Sequence, residues 1–189
     1  MSFNTIEANR RAGRFADREQ LWLFGYGSLI YKAGFDYLER RPASITGWVR
    51  RFWQGSHDHR GTPDAPGRVA TLVRAPGETC MGMAYRVTPA IFEHLDHREK
   101  NGYLRFATEM TFADGTTDEG LVYIATEDNA AFAGPAPVAE IARRIAASQG
   151  PSGPNRDYLL NLAAALRELG ATDAHVFALE AELRALEDG

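Results

Sequence analysis

The stretch Leu21-Trp22-Leu23-Phe24-Gly25-Tyr26-Gly27-Ser28-Leu29-Ile30 predicts the element around which the rest of the chain is arranged. It begins as a short apolar run with aromatic side chains, which is typical of a strand buried on both faces. The run breaks abruptly into Gly25-Tyr26-Gly27-Ser28. Glycines on both sides of one residue let the backbone turn sharply and approach a ligand closely, because neither carries a Cβ atom.

This glycine loop, residues 25–28, has two interpretations. Successive backbone N–H groups in such a turn can hold a carboxylate or an oxyanion, whereas the alternative is an ordinary turn after a core strand. It is not a dinucleotide fingerprint, because Ile30 stands where the third glycine of G-x-G-x-x-G is required. It also lacks the Gly-Lys-Ser/Thr ending of a P-loop. The residues alone do not decide between an anion-binding loop and an ordinary turn.

Length and composition predict a cytoplasmic protein of one domain. The chain has 189 residues, of which 44% are apolar, and no apolar run approaches the ~18 residues of a membrane span. The single cysteine, Cys80, excludes an internal disulfide and favours a reducing compartment. The net charge of -4 gives no general attraction for nucleic acid or anionic membranes. We therefore expect neither of those partners.

The first 20 residues differ from the rest of the chain. They are polar and charged, and they lack the apolar segment of a secretory signal. We expect residues 1–20 to form a flexible or loosely attached arm, and residues 21–189 to form a single domain.

Alternating and apolar patterns predict strands in the middle of the chain. The expected strands cover residues 43–53, 69–74, 80–87, 104–112 and 119–125, with Ala75–Glu78 as a hairpin turn. The basic and aromatic residues between Arg40 and Trp53 suit a nucleic-acid surface or the charged outer face of a sheet. The acidic net charge favours the sheet.

Helical spacing of apolar residues predicts three helices in the last third of the chain. The first carries Val138 and Ile145, the second ends at Gly170, and Thr172-Asp173 opens the third. An earlier, shorter helix begins at Thr88-Pro89, a cap followed by a proline at the first helical position. Strands first and helices last indicate an α+β domain, expected to be a sheet closed or curled into a small barrel with helices outside.

The densest group of polar residues is the stretch Glu93–Lys100 at the end of that short helix. Helical spacing places Glu99 in line with the apolar residues Ile91 and Leu95. A carboxyl group on the buried side has a raised pKa unless a cation offsets the effect, and a general acid/base near neutral pH needs that property. The alternative is that Glu99 pairs with a neighbouring basic residue at a fraying helix end.

The sequence gives less support for a metal site or for a nucleophilic serine or cysteine. His94 and His97, or Glu93 and His97, could ligate one ion, and residues of His57-Asp58-His59 could add to it, but no H-E-x-x-H pattern is present. Ser28 is not part of a G-x-S-x-G motif, and Cys80 is interpreted as a small buried hydrophobe. We therefore expect no metal site.

Several segments, taken in order, resemble one known family. They are Tyr26–Ile30, Gln54–Ser56, Asp58–Pro63, Pro66–Arg68, Leu95–Tyr103, Gly134–Pro137, Gly150–Asn155 and Tyr158-Leu159. Together they resemble the ChaC-like γ-glutamylcyclotransferases, which act on glutathione. The resemblance runs from about Leu21 to Leu183, and the ordered set of motifs is more specific than any one of them.

The resemblance implies a γ-glutamylcyclotransferase-like fold, a small mixed β-barrel with flanking helices concentrated in the C-terminal third. It also implies a lyase that converts glutathione to 5-oxoproline and cysteinylglycine without metal or cofactor. By motif position, Glu99 is the catalytic carboxylate and base. The implied substrate-binding residues are Tyr26, Gly27, Ser28 and Leu29, which hold the γ-glutamyl group, with Tyr103 and Asn155 as lining residues.

Two arginines are candidates for binding the carboxylates of the substrate, because a guanidinium binds a carboxylate with two hydrogen bonds. They are Arg60 and Arg98, and a structural role is the alternative for each. Tyr31 stands where the family pattern predicts tryptophan, and His57 falls at a variable position. Neither is expected to touch the chemistry.

Two rival functions stay open at this point. One keeps the chemistry but acts on other γ-glutamyl amino acids or γ-glutamylamines. The other is a non-catalytic γ-glutamyl-binding regulatory module, against which the presence of Glu99 at the motif position argues. The catalytic interpretation requires a cavity between the glycine loop and the carboxylate of Glu99.

Overall fold

Five strands close into a barrel in a computed structural model of the chain, which describes residues 4–11, 15 and 17–189. The order around the barrel is β1-β3-β2-β4-β5, and a parallel pair between β5 and β1 closes it, whereas the other pairs are antiparallel. The strands are β1 (Leu21–Gly25), β2 (Glu39–Ser56), β3 (Gly67–Val87), β4 (Tyr103–Phe112) and β5 (Thr117–Ala125). The predicted small mixed barrel is confirmed.

The first strand lies inside the barrel wall with a partner on each side. β1 pairs with β3 and β5, and all five of its residues are buried. This explains why its sequence is uniformly apolar instead of alternating. The chain leaves β1 at Gly25 and enters a one-turn 3-10 helix, Ser28–Ile30. The barrel therefore presents the glycine loop at the end of a rigid central strand.

One expected hairpin is wrong. β2 and β3 form a single long hairpin joined by residues 57–66, and both halves of β3 pair with β2. Residues 75–78, predicted as a turn, form an irregularity in β3 opposite Gly47, which has a φ of 88°. Residues 69–74 and 80–87 do not pair with each other, and the local pattern could not reveal this because strand partners are set by the closed sheet.

Helices pack around the barrel, and the three longest lie at the end of the chain, as predicted. They are α1 (Ile6–Arg11), α2 (Phe92–Arg98), α3 (Val138–Ala147), α4 (Asn155–Glu168) and α5 (Ala174–Asp188), with two-residue strands β6 (Gln149–Gly150) and β7 (Gly153–Pro154) before α4. Gly170 adopts a φ of 69° just after α4, and Asp173 caps α5 by accepting a hydrogen bond from Val176 N at 3.0 Å. Within the described residues, no helix is long and apolar enough to cross a membrane.

The segment expected as an arm contacts the barrel through α1. The side chain of Asn9 is fully buried there. Its Nδ2 donates to Tyr103 O at 3.0 Å, and its Oδ1 accepts from Arg105 N at 2.9 Å. The described part of the arm is therefore attached to β4. The division into an arm over residues 1–20 and a domain over residues 21–189 stays a prediction.

A buried guanidinium connects α5 with the barrel and the glycine loop. Arg50 on β2 is 2% exposed. Its Nε donates to Tyr26 O at 2.6 Å, its Nη1 to the Asp173 carboxylate at 2.6 Å, and its Nη2 to Met81 O. A buried charge is tolerated when such partners replace the lost water.

We expect Asp173→Ala to lower the free energy of unfolding by about 3–5 kcal/mol, because it leaves the Arg50 guanidinium buried without its carboxylate and also removes the N-cap of α5. Urea unfolding followed by circular dichroism measures this. The matched control is Asp157→Ala, which removes an exposed carboxylate that lies 3.2 Å from Arg156 and should cost less than about 1 kcal/mol. Equal unfolding free energies for the two variants would contradict the assignment.

Candidate active site

The glycine loop and Glu99 line the same cavity, whose volume is about 340 Å³. The fold thus brings the glycine loop, residues 25–28, close to Glu99, which lies far from it in the sequence. The predicted site residues that line the cavity are Tyr26, Gly27, Ser28, Leu29, Arg60, Arg98, Glu99 and Tyr103. Asn155 is the predicted residue that is not among its lining residues.

Both glycines of the loop are required by close packing. A Cβ atom on Gly25 would lie 2.5 Å from the Cβ of Leu29, and one on Gly27 would lie 2.6 Å from the Tyr158 hydroxyl. These distances are far below van der Waals contact. The loop therefore sits tightly between its own 3-10 helix and α4, in a conformation that larger residues would disrupt.

Arg50 fixes the orientation of one peptide group in the loop. The carbonyl of Tyr26 accepts a hydrogen bond from the Arg50 Nε. Because the C=O and N–H of a trans peptide point in opposite directions, the N–H of Gly27 points away from Arg50. The Tyr26 hydroxyl donates to Tyr123 O at 2.6 Å, so the side chain of the loop tyrosine is also held. The Tyr26–Gly27 peptide and the Tyr26 side chain are therefore each held in one orientation.

Glu99 directly follows α2, and its N–H still donates to Leu95 O at 2.8 Å. Its side chain is 17% exposed. Burial raises the pKa of the Glu99 carboxyl above its ordinary value, the nearby side chains of Arg98 and His59 oppose this, and the charge of Asp58 adds to it. A carboxyl with a raised pKa is suited to exchanging protons near neutral pH.

Arg98 joins the glycine loop to Glu99. Its guanidinium donates to Ser28 Oγ at 3.0 Å, to Lys32 O at 3.2 Å and to Ala33 O, and its Nε lies 3.7 Å from Glu99 Oε1. Most of its donors are therefore engaged within the protein. This arrangement favours the structural alternative for Arg98 over the binding of a substrate carboxylate.

Arg60 is less committed to the protein. Its Nη1 donates to Pro154 O at 3.1 Å, and its guanidinium lies 5.9 Å from the centre of the Tyr158 ring. That hydrogen bond uses one of the five N–H donors of a guanidinium. Arg60 is therefore the better placed of the two arginines to bind a carboxylate in the cavity.

Tyrosine hydroxyls line much of the cavity wall. Tyr103 donates to Ala70 O at 2.8 Å, and Ala70 N donates to the Tyr158 hydroxyl at 3.2 Å. Burial raises the pKa values of Tyr103 and Tyr158. It raises the pKa of Tyr31 to about 12 against the opposing charges of Arg60 and Arg98. These hydroxyls keep their protons near neutral pH and do not act as bases. Tyr103 uses its proton for Ala70 O, whereas the hydroxyls of Tyr31 and Tyr158 can still donate one.

Sequence reasoning missed several residues of this cavity. Tyr158 has no assigned role in the family resemblance and Tyr31 is expected not to touch the chemistry, yet both line the cavity. Asp58 and His59 line it too, and their position in a long polar loop was the available signal. His59 Nε2 lies 3.0 Å from Arg98 O, so Nε2 must carry the proton, since a carbonyl can only accept.

The candidate metal ligands are not assembled into a site. Among the described residues, no group of three or more His, Cys, Asp or Glu side chains is arranged to hold a metal ion. His94 lines the cavity, and it also lines, together with His97, a separate pocket between α1 and α2. Cys80 is buried and free.

Asn155 does not line the cavity, although the resemblance implies that it does. Its side chain is fully buried at the start of α4. Oδ1 accepts from Arg68 N at 2.7 Å, and Nδ2 donates to Arg68 O at 2.8 Å. The carboxamide thus pairs with the β3 backbone as another peptide group would. Asn155 fastens α4, which carries Tyr158, to the barrel.

Comparison with known proteins gives a consistent result. Residues 21–186 match the family described as ChaC-like protein. The chain is 47% identical to gamma-glutamylcyclotransferase 2-3 of Arabidopsis thaliana, covering 87% of this chain and 88% of the relative. It is 42% identical to glutathione-specific gamma-glutamylcyclotransferase 1 of Danio rerio, covering 90% and 92%.

A solved structure agrees with these relatives. The crystal structure of a glutathione-specific gamma-glutamyl cyclotransferase from yeast has a TM-score of 0.82 at 35% identity, covering 89% of this chain and 97% of the yeast chain. The family match, the named relatives and the structural match therefore agree with one another. This chain belongs to the ChaC-like protein family.

Proposed function

We propose that this protein is a glutathione-specific γ-glutamylcyclotransferase, a lyase that forms 5-oxoproline and cysteinylglycine. The observation that carries the proposal is the shared cavity, which is lined both by the glycine loop and by Glu99. Relatives named for this activity at 42% identity, and the yeast structure, support glutathione as the substrate. The free buried thiol of Cys80 fits the proposed location in the cytoplasm.

The substrate supplies both reacting groups. Its α-amino nitrogen attacks the carbon of its γ-amide carbonyl, a new C–N bond closes a five-membered ring, and the original amide C–N bond breaks. The main requirement is to hold the γ-glutamyl chain folded back on itself, and such positioning can contribute ~7–11 kcal/mol. The tightly packed loop of residues 25–28 is suited to this task. No metal or cofactor is needed for these steps.

Glu99 is proposed to move the protons. The α-amino group has a reference pKa of about 8, so it is mostly an ammonium at neutral pH and must lose a proton before it attacks. The ionised Glu99 carboxylate takes that proton and returns it to the nitrogen of the leaving cysteinylglycine as the amide C–N bond breaks. The ring nitrogen gives up a second proton after the attack, and that proton also ends on the released amine, which leaves as an ammonium. The carboxylate is regenerated at the end of each turnover.

The backbone N–H groups of the loop are proposed to bind a negatively charged group of the substrate. The N–H groups around Gly27–Leu29 either stabilise the oxyanion of the tetrahedral intermediate or grip the α-carboxylate. One donor to an oxyanion can contribute ~3–4 kcal/mol. Arg60 is the candidate for the second carboxylate of glutathione, since its guanidinium retains donors at the cavity.

The first test replaces the proposed base. We expect Glu99→Gln to reduce formation of 5-oxoproline from glutathione by at least ~100-fold, the usual contribution of a general base. Glu93→Gln on α2 is the matched control, because Glu93 is 87% exposed, and it should retain the parent rate. Parent-like turnover by Glu99→Gln would refute the assignment of the base.

The same variant should be more stable than the parent at neutral pH. Folding raises the pKa of the Glu99 carboxyl, so its contribution to stability is present below the unfolded pKa and is lost as the pH rises through the folded value. At neutral pH the ionised carboxylate is therefore held in an unfavourable environment. Thermal unfolding at neutral pH should give a higher Tm for Glu99→Gln, and a lower Tm would contradict the burial argument.

The pH dependence tests the electrostatics of the site. The charge of Asp58 raises the pKa of Glu99, so Asp58→Asn should move the acid limb of the kcat profile to lower pH. The measurement is kcat for glutathione between about pH 4 and pH 8, where a carboxyl with a raised pKa titrates. Asp64→Asn, an exposed change in the same loop, should leave the limb in place. An acid limb that moves to higher pH in Asp58→Asn would contradict the prediction.

Substrate range and metal dependence are tested together with EDTA-treated protein. We expect it to form 5-oxoproline from glutathione and to act much more slowly on γ-glutamyl-alanine. Comparable rates on both would favour the rival cyclotransferase with a broader γ-glutamyl substrate range. Binding of glutathione without turnover would favour the regulatory module, and loss of activity that added metal restores would refute the metal-free mechanism.

A further inference from the structure

Glu99 begins the turn of residues 99–102 that connects α2 to β4, and β2 holds one side of this turn. Gln54 Nε2 donates to Asn101 O at 2.9 Å, and Asn101 Nδ2 donates to Gly55 O at 2.9 Å. These bonds attach the turn to the barrel. They involve Asn101, two residues after Glu99, so they do not by themselves fix the backbone at Glu99.

The N-terminal segment, residues 4–11, holds the same turn from another direction. The backbone N–H of Thr5 donates to Lys100 O at 3.0 Å. The Thr5 hydroxyl lies 3.2 Å from Lys100 O and 3.4 Å from Glu99 O, as a donor shared between the two carbonyls. Asn4 forms an antiparallel bridge with Asn101. The carbonyls of Glu99 and of the residue that follows it therefore both contact this segment.

Asn9 extends the attachment to the first residues of β4. Its buried carboxamide donates to Tyr103 O and accepts from Arg105 N, the two groups that a neighbouring strand would pair with. Tyr103 lines the cavity. Asn9 thus fixes the strand that begins immediately after the turn. Thr5 and Asn9 hold the connection from Glu99 to Tyr103 at both of its ends.

The N-terminal segment lies outside the part of the chain that matches the family, residues 21–186. Its contacts are nevertheless made to the turn that carries Glu99, which is the residue that must be placed most accurately. A displacement of 1 Å in a catalytic group can cost ~100-fold in rate. The contacts therefore occur where a small displacement has a large effect on the reaction.

We propose that the N-terminal segment is a strap that positions the Glu99 turn, with Asn9 and Thr5 as its positioning residues. The proposal rests on the proposed function, because it assigns the strap to a step carried out by Glu99. The strap touches neither the glycine loop nor Arg60 in its described contacts. Its loss should therefore slow the chemical step and leave substrate binding largely intact.

The test compares full-length variants in the 5-oxoproline assay, at a temperature well below the Tm of each. We expect Asn9→Ala to lower kcat by about 10-fold or more and Thr5→Val to lower it by about 3-fold or more, with KM changed by less than about 2-fold. Glu7→Ala is the matched control on the same helix, since Glu7 is exposed and lies 3.1 Å from Arg11. It should retain the parent kcat and KM.

The outcomes separate the strap from the proposed function. If the parent forms no 5-oxoproline from glutathione, the proposed function fails. If the parent is active and Asn9→Ala keeps its kcat while its Tm falls, the segment only stabilises the fold and the strap proposal is overturned. A rise in KM at unchanged kcat overturns it as well. Should Asn9→Ala fail to fold, Thr5→Val, which replaces one hydroxyl by a methyl group, decides by the same criteria.

Discussion

The buried guanidinium of Arg50 is the interaction on which the arrangement of the site depends. A charge in a protein interior is stable only where hydrogen-bonding partners replace the water it has lost. Here the partners come from three separate parts of the fold: the glycine loop through Tyr26 O, β3 through Met81 O, and the N-cap of α5 through Asp173. A shift of any one of them would leave the charge incompletely satisfied. The loop is therefore held in position by the requirements of a residue that does not line the cavity.

The cavity has the tightly packed glycine loop on one side and the Glu99 carboxyl group on the other. On the loop side, close packing and the Arg50 bond hold the backbone of residues 25–28 in one conformation. On the other side, Glu99 is buried at some cost to stability, because burial disfavours its ionised form. Arg98 joins the two sides through Ser28 and Glu99. Its positive charge also keeps the pKa of Glu99 from rising as far as burial alone would raise it.

The parts of this structure that could be predicted from sequence are those governed by local chemistry. The apolar run of β1, the stop at Gly170 and the cap at Asp173 each depend on a few neighbouring residues. The pairing of β3 could not be predicted in the same way, because a turn-forming stretch and an irregularity in a strand have similar composition. Motif position identified Glu99 and the loop as cavity residues but misplaced Asn155, since a buried carboxamide serves equally well in a binding site or against a strand backbone.

The position of Glu99 was anticipated by a helical pattern that the structure follows only in part. α2 ends at Arg98, yet Glu99 keeps the helical hydrogen bond to Leu95 O and so remains in line with the apolar face. Its own carbonyl and those that follow are no longer used by the helix, and other segments can bind them. A carboxylate in mid-helix would be placed by the helix alone. Because Glu99 stands at the helix end, its carboxylate still lies on the buried face of α2. Its exact placement depends on β2 and on the N-terminal segment, which hold the turn.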